Sequence, residues 1–212
     1  MNDNEWYGYT ALAIAAVVIA GVLIGLAANS GSAGAPTGAP SAPASGSVPT
    51  DYAYLTVAWN PLTGLDEFFP ANFTVPANTL VRVTITNYDN GTNPVDPMFA
   101  RVWGTVGGSE TIISGGATTT VSALASDRVS HTFTILPSGT GGGMGSGMGT
   151  GTVANPILSV AIPPAASESS PVIVTFDVEL HGAGMYTWNC EAPCNPISMM
   201  GAGLMAGTVY VV

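Results

Sequence analysis

Cys190 and Cys194 are the only cysteines of a 212-residue chain, and three residues separate them. Methionines follow at Met199, Met200 and Met205, and the chain closes on the apolar alternating tail GTVYVV. Thiolates and thioethers are soft donors, and with imidazole they suit copper used in electron transfer. The two histidines are His131 and His181, and neither lies beyond Cys194. On their own, two cysteines read as a disulfide more often than as a metal site. The candidate metal ligands are His131, Cys190, Cys194, Met199, Met200 and Met205, provided the fold brings them together. No nucleophile–base pair, phosphate loop or zinc-type histidine spacing accompanies them.

The elements that carry these residues read as β-structure. Cys190 ends MYTWNC (185–190), which places its loop at one rim of a sheet. His131 enters VSHTFTIL (129–136) and can reach the same rim. His181 precedes Cys190 by nine residues, roughly 30 Å of extended chain, so it belongs to the turn HGAG at the opposite rim. YAYLTVAW (52–59), LVRVTITN (80–87), PILSVAI (156–162), VIVTFDVEL (172–180) and GTVYVV (207–212) complete a set of short strands rich in Val, Ile, Thr and aromatics. Turn formers such as NPLTG and DNGTNP separate them. No stretch of this region has a clear helical period. Many short strands in about 160 residues imply an all-β antiparallel sandwich or barrel. Trp59 and Trp103 read as core, Tyr186 and Trp188 as core or rim, and Arg82 and Arg101 as partners of acids within the sheet.

Three regions follow from composition. Residues 1–28 contain an uninterrupted apolar run from Ala11 to Ala28 with Trp6, Tyr7 and Tyr9 before it, which reads as a transmembrane anchor. A cleaved signal peptide would carry a shorter apolar stretch behind a positive start, whereas MNDNE has no Lys or Arg; the small residues Gly25 and Ala27 would permit cleavage and keep it as the alternative. Gly21 and Gly25 have the spacing of a helix-packing motif. Residues 29–50, rich in Ser, Ala, Gly and Pro, read as an exposed linker. Residues 51–212 form the folded domain, interrupted by a Gly- and Met-rich insertion at 137–152. The expected location is the cell membrane, single-pass, with the C-terminal domain extracytoplasmic.

The chain has no lysine, three arginines and thirteen acids, for a net charge of -10. Nucleic-acid binding is excluded, because it needs Lys or Arg to replace condensed counterions. Charged residues make up 8%, about a third of the usual share. A surface made soluble by Ser, Thr, Asn and Gly depends little on pH, which suits an acid-exposed domain and equally a mildly acidic secreted one.

HTFTI, then PPAASESSPVIVTFDVELHGAGMYTWNC, then a sulfur-rich loop and GTVYVV resemble the C-terminal half of a cupredoxin domain. The layout of anchor, linker and head is similar to that of cytochrome oxidase subunit II and of archaeal sulfocyanin-type membrane-anchored copper proteins. The resemblance implies a cupredoxin-like Greek-key β-sandwich behind a single N-terminal transmembrane helix. It implies a role in a respiratory electron-transport chain, not catalytic by itself, beside other membrane-embedded subunits or a redox partner protein. The spacing of Cys190 and Cys194 is similar to the subunit II pattern for a dinuclear copper centre. Carried over, that pattern makes both cysteines bridging thiolates, takes a carbonyl from Ala192 and makes His131 the first histidine. Its second histidine falls on Ser198, and its methionine on Gly201, one residue from Met200. The resemblance therefore implies a modified or lost copper centre in a subunit II-type component of a haem–copper terminal oxidase. A tethered mononuclear copper carrier and a metal-free surface sandwich with a disulfide are the alternatives. Three states of the site stay open: copper held with sulfur replacing the lost imidazole, a Cys190–Cys194 disulfide, and two inert thiols.

Overall fold

The computed structural model describes Pro49 and residues 51–137, 155–201 and 203–212. The expected anchor, the helix-packing glycines, nearly all of the linker and most of the Gly-rich insertion lie outside these residues. Among the described residues, no helix is long and apolar enough to cross a membrane.

Alternation of apolar and polar residues builds the central strands. β4 (Leu80–Asn87) turns Val81, Val83, Ile85 and Asn87 inward, and β9 (Val172–Glu179) turns in Val172, Val174, Phe176 and Val178. The two pair antiparallel from Leu80–Glu179 to Asn87–Val172. β1 (Asp51–Asn60) runs parallel to β4, and β2 (Leu65–Phe69) folds back on β1. β5 (Glu110–Ser114) pairs with β9 and continues into β6 (Ala117–Val121). Gly115 and Gly116 both hold positive φ between β5 and β6, which a tight right-twisted hairpin requires. The first sheet is therefore β2-β1-β4-β9-β5-β6.

The second sheet is β3-β11-β10-β7-β8. It comprises β3 (Asn72–Val75), β7 (His131–Ile135), β8 (Leu158–Ile162), β10 (Gly184–Asn189) and β11 (Ala206–Val211). The chain crosses between sheets repeatedly, which gives parallel pairs β1–β4 and β3–β11 among otherwise antiparallel neighbours. Phe68, Phe133 and Trp188 meet between the sheets with ring centroids 4.7–6.3 Å apart. Gly207 lets the chain at Ala71 approach, since a Cβ there would sit 1.8 Å from the Ala71 carbonyl oxygen. That carbonyl accepts the Trp188 indole N–H at 2.8 Å.

The all-β sandwich and its seven expected strands are present, with ends shifted by up to two residues. Four further strands, β2, β3, β5 and β6, and one short helix were not expected. The helix α1 (Pro196–Met200) forms because Asn195 caps it, accepting from the Ile197 amide at 2.9 Å, and a proline starts it. Trp59 is not core. It sits at the surface, 54% exposed, because it shares the phase of buried Leu55 and Val57 but lies at the end of β1, past the core. Trp103 is half-buried and donates to the Met98 carbonyl at 2.8 Å. Trp188 is fully buried, as expected. Arg82 makes a two-pronged pair with Asp177 at 2.7 and 2.9 Å. Arg101 lies instead over the Trp103 ring, 5.9 Å from its centroid.

One interior feature has no counterpart in the sequence pattern. Glu110 points into the core from β5, 1% exposed, and neither carboxylate oxygen has a hydrogen-bond partner among the described residues. Burial alone pushes its pKa up to about 8.

Candidate metal centre

The ends of β4, β7, β10 and β11 meet at one rim, and the loop between β10 and β11 closes over it. Inward phase on β10 passes from Trp188 to Cys190, and the Cys190 amide donates to the Met205 carbonyl at 2.9 Å, one step beyond the β10–β11 ladder. α1 folds the loop back, so that the Met205 amide reaches the Ser198 carbonyl at 3.2 Å. The Phe68 amide donates to the Leu204 carbonyl at 2.9 Å and ties the loop to β2. The Phe68 ring meets the His131 imidazole edge-on, with centroids 6.3 Å apart.

His131, Cys190 and Cys194 are all buried, and one donor atom from each lies within 4.8 Å of the others. His131 Nδ1 is 3.2 Å from Cys194 Sγ and 4.0 Å from Cys190 Sγ. The two sulfurs are 3.5 Å apart and unbonded. The Ala192 carbonyl oxygen lies 3.8 Å from Cys190 Sγ. The Thr132 amide donates to Cys190 Sγ at 3.3 Å, and Asn93 Nδ2 lies 3.9 Å from Cys194 Sγ. On the far side of the ring, His131 Nε2 meets Asp89 Oδ2 at 2.9 Å.

The electrostatics follow from these contacts. Burial draws the imidazole toward its neutral form, but Asp89 and Cys190 outweigh it and push the His131 pKa up to about 9. Burial raises the Cys190 thiol, yet hydrogen bonds from Cys194 and His131 and the Thr132 amide bring it well below its usual value. Cys194 moves the opposite way, raised by its hydrogen bond to Cys190 and by burial. The hydrogen bonds from Cys194, His131 and the Thr132 amide favour the thiolate at Cys190 over Cys194, although Nδ1 is nearer Cys194. The His131 hydrogen bond holds the Asp89 carboxyl well below the usual carboxylate range, against its burial.

The arrangement offers two sulfurs and one imidazole nitrogen in a dry pocket, a donor set that fits a soft ion such as copper(I). Met205 is buried and joined through its backbone to Cys190. Met199 is half-buried on α1 and packs against the core. The Met200 side chain lies outside the described residues. His181 is exposed at the opposite rim, 3.3 Å from the Asn78 side-chain oxygen, as its spacing implied. Ser198, where the subunit II pattern has its second histidine, is fully buried, and its hydroxyl has no partner among the described residues.

Sequence reasoning missed Asp89, Asp66, Asn93, Ser130 and Thr132. Asp89 and Asn93 were legible only as parts of the turn after β4. Thr132 and Ser130 flank His131, and the alternation of β7 is the one available signal for them.

No family model matches this sequence, and no curated protein matches it. Solved structures that it resembles include rusticyanin and auracyanin. Rusticyanin from Thiobacillus ferrooxidans is 12% identical, with a TM-score of 0.42, over 76% of this chain and 78% of rusticyanin. Reduced auracyanin from Roseiflexus castenholzii is 13% identical, with a TM-score of 0.40, over 78% of this chain and 99% of auracyanin. Auracyanin B is 15% identical, with a TM-score of 0.38, over 79% of this chain and 93% of its own.

Proposed function

We propose that this chain is a membrane-tethered copper protein that carries one electron at a time in a respiratory chain. The observation that carries the reading is the buried convergence of His131 Nδ1 with Cys190 Sγ and Cys194 Sγ at one rim. His131, Cys190 and Cys194 would hold the ion, with Met205 beside them on the closing loop. Bound copper would supply a one-electron couple between its two common oxidation states. The residues do the rest. Burial excludes water, Thr132 and Asn93 support the sulfurs, and the sandwich fixes the imidazole against Phe68. Fixed ligands change little as charge on the ion changes, which keeps the reorganisation accompanying each transfer small.

The subunit II-type reading, as part of a terminal oxidase beside other membrane-embedded subunits, is the second. It is favoured by two thiols sharing one imidazole nitrogen, with the Ala192 carbonyl beside them. Against it stands Ser198 in place of an imidazole, since a hydroxyl is a hard and weak ligand for copper.

Copper content and visible absorption of the purified full chain, reconstituted with copper(I) under reducing conditions and mildly reoxidised, test both. About one copper per chain with intense thiolate-to-copper bands supports the carrier. Two coppers per chain would move the assignment to a dinuclear centre. No copper, with Cys190 and Cys194 recovered as a disulfide, would leave a structural sandwich.

A further inference from the structure

His131 presents one nitrogen to the sulfurs and the other to the Asp89 carboxylate, which Ser130 and Gly91 also hold in place. We propose that Asp89 is a positioning residue for the metal centre. With the metal bound it would keep the one remaining imidazole proton on Nε2, leaving the Nδ1 lone pair to face the space between Cys190 and Cys194. The inference rests on the metal reading given above and adds the group that sets the direction of the histidine.

The ring has no freedom to find another partner. His131 is fully buried, so no bulk water substitutes for Asp89 at Nε2. Asp89 is itself fixed from several sides. Its Oδ2 accepts the Ser130 hydroxyl at 2.9 Å as well as the imidazole, and its Oδ1 accepts the Gly91 amide at 3.0 Å. Its own amide donates to Asn87 Oδ1 at 3.0 Å, and its carbonyl accepts the Ala165 amide at 2.8 Å. Asn87 is fully buried at the end of β4, and it also donates to the Asp89 and Pro163 carbonyls at 3.1 and 2.9 Å. The carboxylate is thus placed by the ends of β4 and β7 and by the segment after β8.

A second carboxylate provides an internal contrast. Asp66 on β2 lies in the same group, with one oxygen within 4.8 Å of Asp89 and His131 ligand atoms. Its carboxylate has no hydrogen-bond partner among the described residues. Both acids put negative charge near the ring, but only Asp89 is bonded to it. A carboxylate on the outer nitrogen of a ligating histidine fixes tautomer and orientation and raises the basicity of the inner nitrogen. It also favours the more positive state of a bound ion.

The test uses the full chain, with copper(I) as the probe in competition with a chelator, and the midpoint potential of the copper-loaded protein. Asp89→Asn is expected to weaken copper(I) binding by about 10- to 100-fold and to raise the midpoint potential. Asp66→Asn removes the same formal charge and is expected to change affinity by less than about threefold, the scale of an exposed charge. Ser130→Ala, which loosens Asp89 without removing it, is expected to weaken binding in the same direction by less, and stands in if Asp89→Asn does not fold. Equal effects of Asp89→Asn and Asp66→Asn would overturn the inference, because charge alone would then explain both. So would unchanged affinity and potential in Asp89→Asn, or in Ser130→Ala where it stands in. Failure of the unaltered chain to bind copper(I) would instead overturn the metal reading, and this inference with it.

Discussion

Asp89 and Glu110 are two carboxylates withdrawn from water within one sandwich, and they end in opposite states. Asp89 stands at the rim, receives three donors and keeps its charge. Glu110 stands inside β5 with no partner among the described residues, and burial pushes its pKa up to about 8. Desolvation acts on both, so the difference lies in the donors. Where a buried acid serves a site, the fold supplies hydrogen bonds. Where it has none, the acid is tolerated only in its neutral form.

The largest expected effect sharpens this comparison through pH. In the unfolded chain Glu110 titrates near 4.5, and in the native state near 8. Between those values only the native state binds the proton, so stability falls as pH rises, by about 1.4 kcal/mol per unit and roughly 5 kcal/mol in all. The contribution is fully present below pH 4.5 and lost above about 8. Denaturant unfolding of the full chain at pH 5 and at pH 8 should show this loss. Glu110→Gln should remove most of it and make the protein more stable at pH 8. Identical pH dependence in the two proteins would show that Glu110 reaches a donor or water and would break the contrast.

Asp89→Asn should cost about 2–3 kcal/mol at pH 7, since it breaks a charge-assisted network and leaves His131 Nε2 poorly matched. The Asp89 pKa is depressed in the native state, so its contribution is present above the unfolded value of 3.8 and is lost as pH falls toward the folded value. The gap between unaltered protein and variant should therefore narrow below about pH 4. A gap that stays constant to pH 2 would place the cost in packing rather than in charge. Ser130→Ala removes one of the three donors and should cost about 1 kcal/mol by the same unfolding measurement. Asp66→Asn is expected to be the smallest change, under about 0.5 kcal/mol and favourable, because Asp66 is only half-buried and repels Asp89. A loss of more than 1 kcal/mol there would mean that Asp66 is bonded as Asp89 is.

The two acids also mark what the sequence could convey. Period-two alternation made β4 and β9 legible, and strand ends put His131 and Cys190 at one rim and His181 at the other. β2 and β3 were hidden because Pro70 interrupts FFPANFTV and leaves two runs too short to alternate. β5 and β6 were hidden because β6 is a fully exposed edge of threonines with little apolar signal. Trp59 misled because it shares the inward phase of Leu55 and Val57 but stands at the end of β1, past the buried core. Arg101 misled because a guanidinium finds an aromatic face as readily as an acid. The convergence of His131, Cys190 and Cys194 was legible from residue type and strand end. Asp89 was not, because its bond to His131 spans 42 residues and depends on how a turn in one sheet approaches a strand in the other. Glu110 was not, because a single polar residue at an inward position carries no periodic signature.

Copper K-edge X-ray absorption of the copper(I)-loaded full chain tests the central claim most directly, because it counts the atoms bound to the ion. The account predicts two sulfur scatterers at about 2.2–2.3 Å and one imidazole nitrogen at about 2.0 Å, by analogy with other soft-ion sites, with the nitrogen lost in His131→Ala and one sulfur lost in Cys190→Ser. A first shell of oxygen and nitrogen only, unchanged by either substitution, would contradict it.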